Sequence, residues 1–103
     1  RDLAVVQEHA SFVAFNLAMQ GRRVFALSTK AHRNYTQTQF QAGDVLLFGP
    51  ETRGLPRELL ANLADEYKLR IPMLPNSRSL NLSNTAAIVV YEALRQHHFP
   101  RLV

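Results

Sequence analysis

Short apolar runs alternate along this chain with stretches of helical periodicity. Leu3–Val6 is β-branched and apolar and reads as a strand. Ser11 can cap a helix in which Phe12, Phe15 and Met19 recur at helical spacing, and Gly21 stands where a helix stop belongs. Val24–Leu27 is the next strand, with Ser28-Thr29-Lys30 just past its carboxyl end. Residues 31–41 have no clear period and read as loop, followed by a turn at Ala42-Gly43-Asp44. The unbroken apolar run Val45-Leu46-Leu47-Phe48 suits a buried central strand. Pro56 reads as the first residue of a helix reaching about Leu63, residues 64–68 as polar connection, and residues 69–71 as the last strand. The strongest amphipathic helix spans about 81–96, with Leu82, Ala86, Val89, Val90 and Ala93 on one face, and residues 97–103 read as a tail. Strands alternating with helices in this way predict an α/β fold, a mostly parallel sheet with helices on both faces.

Composition narrows the picture. A chain of 103 residues, 47% hydrophobic, suffices for one core and predicts a single domain over 1–103. Twelve Lys and Arg against eight Asp and Glu give a net charge of +4, which permits a polyanionic partner without requiring one. The absence of cysteine removes disulfides, thiolate metal sites and the thiolate nucleophile used to modify a pyrimidine carbon. No metal site is expected, because His97 and His98 are neighbours on different helix faces, and His9 and His32 have no partner at ligand spacing. No apolar run has the length of a membrane helix, and Arg1-Asp2-Leu3 has no signal-peptide character, so a cytoplasmic protein with no membrane partner is expected.

Candidate chemistry concentrates in two loops at strand ends, where α/β proteins bind ligands. The first, Gly49-Pro50-Glu51-Thr52-Arg53-Gly54-Leu55-Pro56, has the glycine spacing of a phosphate loop but carries Leu-Pro where Lys and Ser or Thr would be needed. Glu51 and Arg53 are either turn residues or orient loops around a ligand that approaches Gly49. The second loop, residues 71–84, holds Ser77, Ser79, Asn81, Ser83 and Asn84, more capping residues than one helix start uses. Arg78 among them is either solvated or a phosphate contact. Tyr91, on the last helix, is more readily a core aromatic than a catalytic one.

The stretch Leu46-Leu47-Phe48-Gly49-Pro50-Glu51-Thr52-Arg53-Gly54-Leu55-Pro56, with Ile71-Pro72-Met73 and Ser77-Arg78-Ser79-Leu80-Asn81-Leu82-Ser83-Asn84, resembles the two C-terminal motifs of the SPOUT class of RNA methyltransferases. Within that class the chain is most similar to the small tRNA (cytidine/uridine-2′-O)-methyltransferases of the wobble nucleotide. The resemblance implies a C-terminal deep trefoil knot, a homodimer, tRNA as substrate and S-adenosylmethionine as cofactor without a metal. Carried over by position, it implies cofactor contacts from Leu27, Gly49, Glu51, Ile71, Met73 and Ser79. Ser79, Asn81 and Tyr91 would support catalysis, while Arg53 and Arg78 would contact RNA. A 2′-O-methylation of another site in rRNA or tRNA, or a non-catalytic RNA-binding module, is the alternative. Members of this class open with a strand and helix carrying Asn-x-x-Arg, whereas residues 1–19 here resemble the middle of such a sequence. An incompletely represented chain, inactive as it stands, is therefore expected.

Overall fold

The computed structural model describes residues 3–6, 15, 16, 18–49, 55–72, 82–100 and 102, with residues 3–6, 82 and 83 described in the backbone alone. Its centre is a parallel sheet of β1 (Leu3–Val6), β2 (Val24–Leu27), β3 (Arg33–Asn34), β4 (Asp44–Phe48) and β5 (Lys68–Arg70), in the spatial order β1-β4-β2-β5-β3. Every described pairing is parallel, so all five carboxyl ends lie along one edge. β2 and β4 are buried at every position, as their unbroken apolar runs require of strands covered on both faces.

Alternation along the strands divides the core in two. Val24, Ala26, Val45 and Leu47 face Leu55 and Leu59, the latter on α1 (Arg57–Ala61). Phe25, Leu27, Leu46, Phe48 and Leu69 face Val89 and Ala93 of α2 (Leu82–Gln96). Helices therefore cover both faces. Of the apolar stripe expected on α2, Ala86, Val89, Val90 and Ala93 pack in this second cluster, while the side chain of Leu82 lies outside the described residues.

Several local expectations are corrected. Residues 31–41 are not simple loop. Arg33–Asn34 forms the edge strand β3, and a 3-10 turn follows over Tyr35–Gln37, because Asn34 and Gln37 make a reciprocal capping box. Pro56 precedes α1 with an extended ψ of 141° rather than opening it. Asp44 is the first residue of β4 and is 2% exposed, its carboxylate held by Arg23. Within the polar connection, Asp65–Tyr67 forms a 3-10 turn, and β5 starts at Lys68. The tail is anchored at its start, since the His97 ring donates through Nε2 to Phe40 O at 2.7 Å. Gly21 behaves as expected, with φ +81° and its N–H donating to Ala18 O.

Phe15 and Met19, four residues apart on helical backbone, are 63% and 72% exposed. Their spacing marks one face of a helix, but nothing described covers it.

Candidate functional site

The register of the three central strands sets the site. Leu27, the last residue of β2, is opposite Phe48 on β4 and Leu69 on β5. The next amide, Ser28 N–H, donates to Leu69 O at 2.9 Å and closes the ladder. Gly49 directly follows Phe48, and Ile71 stands two residues past Leu69, so both lie beside Leu27 at the same edge. Ile71 packs in the cluster that contains Leu27 and Phe48. With no Cβ, Gly49 leaves the main chain at this edge open to close approach.

Beside this edge opens a cleft of about 850 Å³ that reaches Ser28 but includes none of Leu27, Gly49 or Ile71. The turn after β2 forms one wall. There Ser28 Oγ accepts from Lys30 N–H at 3.0 Å, Ala31 N–H donates to Ser28 O, and Arg70 Nη1 donates to Thr29 O at 2.7 Å. Arg33 enters from β3, its guanidinium bonded to Gln37 O at 3.0 Å. Arg57 comes from α1 on the other side. Sequence reading noted Lys30 as lying past a strand end but missed Arg33 and Arg57, since their convergence depends on a strand order that periodicity does not give.

The structure thus brings together Leu27, Gly49 and Ile71. Glu51, Arg53, Met73, Arg78, Ser79 and Asn81 lie outside the described residues. Tyr91 is described and is 58% exposed, which overturns its reading as a core aromatic. It is two residues from the inward-facing Val89, hence on the far side of α2. Among the described residues, no group of three or more His, Cys, Asp or Glu could hold a metal ion, and no helix is long and apolar enough to cross a membrane.

The family described as "SpoU rRNA Methylase family" matches residues 2–91. The chain belongs to that family. Among curated SpoU relatives, a tRNA (cytidine(34)-2′-O)-methyltransferase of Methylovorus glucosotrophus is 51% identical over 95% of this chain and 64% of its own length. The enzyme of the same name from Escherichia coli is 48% identical over 99% of this chain and 65% of its own length. The chain therefore spans just under two thirds of these relatives. A solved structure concerned with the 2-OH methylation of C/U34 on tRNA superposes with a TM-score of 0.73 at 46% identity, over 87% of this chain and 58% of that one. The SpoU methyltransferase AviRb from Streptomyces viridochromogenes, in complex with the cofactor AdoMet, gives 0.71 at 25% identity, over 87% and 35%. The parallel α/β sheet is thus that of solved SpoU enzymes.

Proposed function

We propose that the protein is an S-adenosylmethionine-dependent methyltransferase that modifies the ribose 2′-hydroxyl of the tRNA wobble nucleotide, a cytidine or uridine. The observation that carries this is the alignment of Leu27, Gly49 and Ile71 at three adjacent strand ends, in a chain about half identical to enzymes named for that reaction. When bound, S-adenosylmethionine supplies an electrophilic methyl group to the ribose oxygen, the methyl–sulfur bond breaking as the carbon–oxygen bond forms and the hydroxyl proton leaving to a base. Leu27 and Ile71 would pack against the adenine, Gly49 would let the main chain approach its edge, and Glu51, Met73 and Ser79 would complete the pocket. Asn81 and Tyr91 would support the nucleotide, with Arg53 and Arg78 on RNA phosphate. Such transfer depends on alignment and proton removal, which positioned side chains provide without a thiolate.

The same reading includes a single SPOUT domain with a C-terminal trefoil knot and a cytoplasmic homodimer. The uncovered Phe15 and Met19 face supports the dimer, since a partner could bury it. The family's description as an rRNA methylase favours a second reading, with the methyl group placed on ribosomal RNA.

Nucleoside mass spectrometry of tRNA and rRNA after incubation with the full-length protein and labelled S-adenosylmethionine separates the two. A 2′-O-methyl at the first anticodon position is expected. Label confined to rRNA would replace the first reading with the second. No transfer, together with no heat of S-adenosylmethionine binding in calorimetry, would sink both.

A further inference from the structure

Of the described cations, Arg22 and Arg70 donate to the backbone carbonyls of Gly43 and Thr29 and lie outside the cleft. Arg23 is paired with Asp44, Lys68 with Asp65 and Arg95 with Glu92. Lys30, Arg33 and Arg57 have no carboxylate partner among the described residues, and all three line the cleft beside Ser28. Asp65 and Glu66 also line it, but Asp65 is 3.3 Å from Lys68, so the two largely cancel. Three unpaired cations then stand against Glu66, with His32 beside them.

We propose that this cleft seats the phosphodiester backbone of the RNA next to the nucleotide being modified, with Lys30, Arg33 and Arg57 as phosphate contacts. The assignment rests on the RNA methyltransferase reading and extends it to residues outside the proposed cofactor pocket. Three features favour an RNA strand over a compact anion. The cations come from three separate elements, the turn after β2, β3 and α1, and so line the cleft rather than converge on one point. At about 850 Å³ the cleft exceeds what a single phosphate fills. Ser28, one of its lining residues, is one residue past Leu27, so a strand lying in it would pass beside the edge where the methyl donor is placed. Preorganisation supports the role as well. Bonds from Lys30 N–H to Ser28 Oγ and from Arg70 to Thr29 O fix the turn, while Gln37 O holds Arg33, which lowers the ordering cost of binding.

Phosphate contacts carry no sequence information, so their loss weakens all single strands alike and flattens the salt dependence. The test is fluorescence anisotropy of the full-length protein with an anticodon stem-loop RNA and a scrambled single strand across a salt series. Lys30→Gln, Arg57→Gln and the double variant are compared with Arg22→Gln, at the amino-terminal end of β2. The slope of log affinity against log salt should fall by about 0.7 per lost contact, and so by about 1.4 in the double variant. Its affinity should drop about tenfold or more for both RNAs, with S-adenosylmethionine binding by calorimetry unchanged. A double variant whose slope and affinity match those of Arg22→Gln overturns the proposal. A wild type that binds RNA through these cations, yet neither binds S-adenosylmethionine nor transfers methyl, overturns instead the methyltransferase reading and with it the placement beside a target nucleotide.

Discussion

At the scale of single residues, two ion pairs show how position decides what a charge is worth. Asp44 accepts from Arg23 Nε at 2.9 Å, from Arg23 Nη2 at 2.7 Å and from Gln41 N–H at 2.8 Å, with its side chain only 3% exposed. Its hydrogen bonds and charge hold the Arg23 guanidinium above its ordinary pKa, and that group also lies 5.0 Å from the Phe25 ring centroid. Replacing Asp44 with Ala would strand a guanidinium and the Gln41 amide. Arg23 is 33% exposed and can recover water, so the expected loss is about 2–3 kcal/mol in urea denaturation, below the figure for a fully buried pair. The second pair behaves differently. Glu92 is held below its ordinary 4.5, first by the bonds from Arg95 and then, against the opposing effect of burial, by Gln96. A depressed carboxylate adds stability that is present above about pH 4.5 and is lost as pH falls through the folded-state value. The stability advantage of wild type over Glu92→Gln should therefore shrink on acidification below about pH 4.5, as read by denaturation at a series of pH values. A constant difference would mean that the interaction does not depend on ionisation.

At the scale of elements, the carboxyl end of α2 explains why the chain past Gln96 is not a simple tail. Gln96 Nε2 donates to Thr38 O at 2.7 Å, while its Oε1 accepts from Phe40 N–H at 2.7 Å. One side chain thus bonds to two points of the backbone leading into β4, and His97 adds a bond to Phe40 O. Thr38 and Phe40 are buried, so these peptide groups depend on the helix for partners. Gln96→Leu should cost about 2 kcal/mol by leaving a donor and an acceptor unsatisfied, and hydrogen exchange at the Phe40 amide should accelerate more than exchange in β2. Uniform acceleration would instead indicate that the clamp contributes only to global stability. None of this was legible in the sequence, because Gln96 and Phe40 are 56 positions apart. The edge strand β3 was hidden for a related reason: at two residues it is too short to establish a period. By contrast β1 and β2 were readable to their ends, and α2 nearly so, since short apolar runs and an apolar stripe at helical spacing are direct signals of those elements.

At the scale of the whole molecule, the parallel class of the sheet was legible from the alternation of strands and helices, whereas its order was not. That order is what places β2 between β4 and β5, and hence Leu27 between Gly49 and Ile71. The three residues are distant in sequence and were joined beforehand only by resemblance to a family. Their adjacency allows a thermodynamic test of the cofactor pocket that does not depend on RNA. A ligand that binds only the folded state stabilises it by about 2.7 kcal/mol at 100 times its Kd, which for a chain of this size raises Tm by roughly 10–20 °C. S-adenosylmethionine should produce such a shift in the wild type. Gly49→Val, which puts a branched side chain at the proposed edge of the adenine, should reduce that shift to near zero. The comparison is between free and ligand-loaded forms of the same variant, so any intrinsic cost of the substitution cancels. Lys30→Gln/Arg57→Gln should keep the full shift, since the cationic cleft includes neither Leu27 nor Ile71. If the shift survived in Gly49→Val and was lost in the cleft variant, the two sites would have to be exchanged: methyl donor in the cleft, RNA along the strand ends.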